Sequence, residues 1–133
     1  MSRINPGDKA TRTTPITDKM IRAFAEISGD NNPIHLDDEY AAGTRFGRRI
    51  AHGMLAAGLI SATIANDLPG PGTVYLSQSL KFKSPVFPGD TITTTIEVAS
   101  IRPDKPIAIL TTTCANQEGV VVLDGEAVVL YTP

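Results

Sequence analysis

The sequence predicts an α+β protein. Up to residue 66 its apolar residues recur at helical spacing or fill whole segments, and from residue 74 onward they alternate with polar residues at period two. Between the two halves stands Leu68-Pro-Gly-Pro-Gly72, a run that stops a helix firmly.

Each element follows from local signals. Residues 9–13 suit a short strand. Residues 17–28 predict a first helix: Thr17 and Asp18 offer a cap and a first-turn carboxylate, Met20, Phe24 and Ile27 fall at helical spacing, and Gly29 is a natural stop. Residues 30–35 cannot continue it, because Pro33 lacks an N–H and holds Asn32 extended. Residues 37–42 suit a short helix, and 43–49 read as loop. A second long helix is expected from His52–Gly53 to about Asn66. Its residues are almost all small or apolar, which predicts burial on nearly every face. Val74, Leu76, Leu80 and Phe82 then alternate with Tyr75, Ser77, Ser79, Lys81 and Lys83, a strand with one dry and one wet face. After a turn at 85–90, Ile92, Thr94, Ile96 and Val98 mark the next strand, 107–114 a third and 120–131 a fourth. Four consecutive strands with short connections predict an antiparallel meander. With one buried helix, they suggest a sheet wrapped around that helix.

Composition bounds the function. The chain has 133 residues, 14.1 kDa and a formal net charge of -2, with 41% hydrophobic and 20% charged residues. That suits a single globular domain over residues 1–133, not a disordered chain. The near-neutral charge, with no Trp and only 5% aromatics, argues against nucleic acid as a partner. The lone cysteine, Cys114, excludes an internal disulfide framework and a multi-cysteine metal site. The N-terminal residues contain no apolar leader segment, and the longest uncharged apolar run, Gly53 to Ala65, is 13 residues. At about 20 residues per span it is too short to cross a bilayer. The expectation is a cytoplasmic protein that needs no membrane.

The chemistry concentrates at Phe24-Ala-Glu-Ile-Ser-Gly-Asp-Asn-Asn-Pro-Ile-His35. A turn at Asn32–Pro33 can bring Asp30 and His35 into one cleft, where a carboxylate and an imidazole suit general acid–base work on a water. The alternative is that Asp30 turns the chain and His35 satisfies a local carbonyl. A His–His–Asp metal set with His52 is conceivable, but nothing in the spacing supports it. The second feature is Arg49-Ile-Ala-His-Gly-Met54. The helix that follows presents unpaired N–H groups at its N-terminus, and Gly53 lets a substrate approach the backbone, so the two together can polarise a carbonyl oxygen. The alternative is that Gly53 permits tight packing and His52 caps the helix.

Phe24-x-x-Ile27-Ser28-Gly29-Asp30-x-Asn32-Pro33-x-His35, followed by Ala41, resembles the signature of the MaoC-like hydratase-2 family, the (R)-specific enoyl-CoA hydratases. Ala51-His-Gly-Met-Leu55 and Lys81-Phe-Lys-Ser-Pro-Val-Phe-Pro-Gly-Asp90 resemble the same family, and the likeness spans the chain. It implies a hotdog fold and a homodimer whose sheets join edge to edge. The implied activity is hydration of trans-2-enoyl-CoA to (R)-3-hydroxyacyl-CoA, supplying polyhydroxyalkanoate synthesis, with no cofactor and no metal. The implied catalytic residues are Asp30, His35 and Gly53. Asn32 is expected beside the substrate, chiefly as a turn-former. Ser61 and Ile64 are expected to line an acyl tunnel, the alternative being core packing. Gln78 interrupts an apolar strand face, so it is expected at the site or at the dimer contact. The candidates for the coenzyme A phosphates are Lys81, Lys83, Arg102 and Lys105. Two other functions compete. One is dehydration of 3-hydroxyacyl thioesters on a carrier protein; the other is a non-catalytic acyl-CoA-binding module. A thioesterase of this fold is expected to carry a carboxylate on the central helix, and residues 53–65 have none.

Overall fold

The computed structural model describes residues 3–133. Among these residues the order is β1 (Lys9–Pro15), α1 (Asp18–Ser28), α2 (Pro33–Leu36), α3 (Asp38–Ala42), α4 (Gly53–Asn66), β2 (Val74–Gln78), β3 (Lys81–Phe82), β4 (Thr91–Ile101), β5 (Ile107–Ala115) and β6 (Val121–Leu130). No helix among them is long and apolar enough to cross a membrane.

The capping signals act as the sequence implies. Thr17 Oγ1 accepts from the Met20 N–H at 3.1 Å. Gly29, at φ 79°, closes α1 with its own N–H donated to the Ala25 carbonyl. Asn32 Oδ1 accepts from the Ile34 N–H, and Pro33 opens α2, a one-turn helix where the sequence predicts only a turn. Asp37 then caps α3.

All pairings in the sheet are antiparallel, in the order β1-β4-β5-β6-β2, with β3 also on β6. The sheet curls round α4, which rests on β4 with β1, β5 and β6 alongside. This is the hotdog arrangement. Ile60 and Ile64 of α4 meet Ile92, Ile96, Leu110 and Val129 of the sheet in one buried cluster. The alternation read at Ile92, Thr94, Ile96 and Val98 holds, for all four are buried.

Three expectations need correction. The meander has three strands, β4-β5-β6, because the strand at 74–82 lies beside β6 at the far edge and not beside β4. The chain reaches β4 by a crossover. It passes β6 (Lys83 N–H to Val122 carbonyl, 2.9 Å), then the entry to α4 (Ala51 N–H to Val86 carbonyl, 2.7 Å). It finally reaches β1 (Ile16 N–H to Asp90 carbonyl, 2.8 Å), and β1 takes the place beside β4. Second, the expected dry face of 74–82 is open: Val74, Leu76 and Phe82 are more than half exposed. A β-bulge between Tyr75 and Ser77 breaks the period of two, and among the described residues nothing buries Val74 and Leu76 at this sheet edge. Third, α4 buries one face only. Ala56, Ile60, Thr63 and Ile64 face the sheet, while Met54, Gly58 and Ala65 stay exposed.

Gly125 in β6 shows how closely this edge is built. A Cβ there would lie 1.8 Å from the Ser79 carbonyl oxygen, a backbone atom that cannot swing aside. Gly125→Ala is expected to destabilise the fold by about 2–4 kcal/mol, read as the shift in urea midpoint. A midpoint within error of wild type would show that the β2–β3 edge yields freely.

Candidate active site

The segment joining α3 to α4 builds the site. The Ile50 N–H donates to the Ile34 carbonyl at 3.2 Å, and the Ile50 carbonyl accepts from His35 Nδ1 at 2.7 Å. A carbonyl can only accept, so His35 carries its proton on Nδ1, and the neutral ring keeps a lone pair on Nε2. Burial pushes the His35 imidazole below its ordinary value and nearby His52 adds to this; the Ile50 bond and Asp30 oppose it. The ring is therefore neutral at pH 7. Arg49 clasps the same corner from behind. Its guanidinium reaches Asp18 on α1, Asp38 on α3 and the His35 carbonyl. The bonds from Arg49 and Arg22 hold the Asp18 carboxyl below its usual range, which keeps the clasp charged.

Asp30 lies in the loop after α1. Its N–H donates to Ser28 Oγ at 3.1 Å, and its Oδ1 accepts from the Asn32 N–H at 3.2 Å. Among the described residues Oδ2 carries no hydrogen bond. Asp30, His35 and Gly53 all line one cleft of about 510 Å³. Donor atoms of Asp30, His35 and His52 lie within 4.8 Å of one another. Gly53 is the first residue of α4, where an N–H has no intrahelical acceptor. The Phe82 ring covers it: a Cβ on Gly53 would stand 2.6 Å from Phe82 Cε1. One cleft thus holds a free carboxylate oxygen, an imidazole lone pair and a backbone donor at the positive end of a helix. Such a set can activate a water and stabilise a developing oxyanion. It suits a metal poorly. The two imidazoles stack at 3.9 Å and 29°, unlike ligand rings that radiate from a shared ion, and His35 Nδ1 and His52 Nε2 are each taken by a backbone carbonyl.

The other expected residues fall elsewhere. Asn32 does not line the cleft, since its side chain caps α2. Ile64 is 2% exposed in the core. Ser61 and Gln78 line a separate groove between α4 and β2, and Met54 borders both groove and cleft. Gln78 is held there by Tyr75 Oη and Thr112 Oγ1. Of the basic candidates, Lys83 lines the cleft and pairs with Asp124, while Arg102 is spent on Asp104. Lys81 and Lys105 are exposed and line neither the cleft nor that groove. Sequence reasoning missed Arg45 at the rim, Phe82 over Gly53 and the contacts of His52, none of which has a local sequence signal.

Residues 3–118 match the MaoC like domain. The chain is 50% identical over 123 residues to an (R)-specific enoyl-CoA hydratase of Aeromonas caviae, covering 92% of each chain. It is 47% identical over 127 residues to an (R)-specific enoyl-CoA hydratase of Rhodospirillum rubrum, covering 96% of this chain and 88% of that one. A solved structure of an (R)-hydratase from A. caviae involved in PHA biosynthesis superposes with a TM-score of 0.97 at 46% identity, over 99% of this chain and all of that one. The chain belongs to the MaoC-like domain family.

Proposed function

We propose that the protein is a hydro-lyase that adds water to trans-2-enoyl-CoA with (R) stereochemistry, on short to medium acyl chains, and so supplies (R)-3-hydroxyacyl-CoA for polyhydroxyalkanoate synthesis. The observation that carries this is the meeting of Asp30, the Nε2 lone pair of His35 and the Gly53 N–H on one cleft. The likeness to (R)-specific hydratases along nearly the whole chain supports it.

Asp30 and His35 hold one water. Asp30 takes a proton as the water oxygen bonds to C3 of the enoyl group. The C2=C3 electrons move to the thioester oxygen, where the Gly53 N–H stabilises the charge. The pair then returns a proton to C2 on the same face, so the sum is one water added and no electron is exchanged with a cofactor. A donor of this kind is worth about 3–4 kcal/mol in comparable acyl chemistry. From the cleft the acyl chain passes Met54 toward the Ser61 groove, and Ile64 shapes that path only through the packing of α4. Arg45 and Lys83 stand at the rim for the coenzyme A phosphates. The working form is a cytoplasmic homodimer joined along the open β2 edge, whose apolar Val74 and Leu76 and the uncovered face of α4 a second copy would bury.

The test follows the ultraviolet absorbance of crotonyl-CoA on adding protein, with chiral analysis of the product. Loss of the enoyl band with (R)-3-hydroxybutyryl-CoA formed is expected. No loss with crotonyl-CoA or hexenoyl-CoA, or an (S) product, sinks the reading.

A further inference from the structure

His52 takes no part in the steps above, yet at 2% exposed it is the most enclosed polar side chain of the site. Its Nε2 lies 3.0 Å from the Asp30 carbonyl oxygen. Since the carbonyl must accept, Nε2 bears the proton, and in the neutral ring Nδ1 is then a bare acceptor. Among the described residues that Nδ1 is the buried side-chain atom left without a hydrogen-bond partner. An orphaned buried acceptor opposes folding, and a buried ring with no nitrogen would avoid the penalty. What histidine supplies that such a ring does not is the donor to Asp30.

Two further rings pack against it. Phe24 lies against it at 4.8 Å and 51°, and His35 stacks on it at 3.9 Å and 29°. This explains the aromatic residue that opens the motif ending at His35. The other polar contacts of Asp30 come from its neighbours in the chain, Ser28 and Asn32. The His52 bond, 22 residues away in sequence, ties that loop to the entry of α4.

We infer that His52 is a positioning residue: its Nε2–H on the Asp30 carbonyl fixes the span between the Asp30 carboxylate and His35 Nε2. The inference rests on the hydration reading, because that span is where the water is held. Misplacement of reacting groups by about 1 Å can cost 10²-fold. His52 therefore acts on the rate of the chemical step and leaves the binding of coenzyme A thioester alone.

Two measurements test this. Nitrogen-15 NMR of the histidines in the wild-type chain at neutral pH should show His52 protonated at Nε2 and His35 at Nδ1. A neutral His52 ring protonated at Nδ1 alone cannot donate to Asp30 and overturns the inference without any variant. Kinetics on crotonyl-CoA then compare His52→Phe, which keeps the stack and loses the donor, with His52→Gln, which restores a donor. His52→Phe is expected to lose at least about tenfold in kcat with KM within about twofold, and His52→Gln to return to within about threefold of wild type. A wild-type rate in His52→Phe overturns the inference, as does equal loss in both variants or a change confined to KM. Should His52→Phe fail to fold, His52→Gln and the NMR measurement decide. A wild-type chain inactive on enoyl-CoA would instead refute the hydration reading, while the NMR result would still report on the His52 contact.

Discussion

Asp30→Asn is expected to abolish turnover of crotonyl-CoA, by about 10²–10⁴-fold in kcat, and to leave the fold and ligand binding in place. The side chain is exposed, so the substitution opens no cavity and buries no new group. Asparagine keeps an oxygen that can accept the Asn32 N–H, so the loop between α1 and α2 keeps its turn. What it loses is the basic oxygen that, in the proposed mechanism, takes the proton from water. His35 cannot replace it, because its Nδ1–H is committed to Ile50 and its single free nitrogen is needed to hold the same water. Steady-state rates, a calorimetric titration with 3-hydroxybutyryl-CoA and a thermal melt separate the possibilities. Binding and melting within error of wild type, with turnover gone, assigns Asp30 to the chemistry. Residual activity within tenfold of wild type would remove Asp30 from the role of base. A non-catalytic binding module would bind equally in both forms and show no turnover in either.

The parts legible in the sequence are those set by neighbours in the chain. The Thr17 cap, the Gly29 stop and the Asn32–Pro33 turn each act within four residues, so they read directly. The turn also brings Asp30 and His35 to one cleft, as its geometry suggests. Strand pairing was not legible. Alternation shows that 74–82 is extended, but it does not show that the strand pairs with β6 while β1 takes the place beside β4. That choice depends on the crossover past Val122 and Ala51 and on its contacts with distant residues. The open faces of β2 and α4 escaped for a related reason. Their apolar residues read as core, and a single chain has no second layer to cover them. His52 is the case at the site. A lone histidine before a helix reads as a cap, yet its side chain makes no capping bond, and its partners lie in Asp30, His35 and Phe24.

Gly53→Pro is expected to lower kcat by about 10²–10³-fold, and the comparison with Gly53→Ala shows why. Gly53 is the first residue of α4, a position where proline is favoured because the N–H has no intrahelical use. Proline also demands an extended residue before it, and His52 already has φ -60° and ψ 134°. The backbone therefore accepts proline with little change, and the N–H that the proposed mechanism sets against the thioester oxygen is deleted. Both substitutions add a Cβ that meets Phe82 Cε1 at 2.6 Å. Phe82 is 56% exposed, so its ring can swing into solvent, and that adjustment perturbs KM in both variants alike. Placing each substitution in a Phe82→Ala background removes the shared clash. The ratio of kcat between the alanine and proline forms then measures the backbone donor, apart from any effect of crowding. A ratio near one would mean that charge on the thioester oxygen is stabilised elsewhere. A ratio of a hundred or more would put the positive end of α4 at the transition state, and would give the sequence Ala51-His-Gly-Met-Leu55 its physical reason: a histidine that fixes Asp30, followed at once by a glycine whose N–H is left for the substrate.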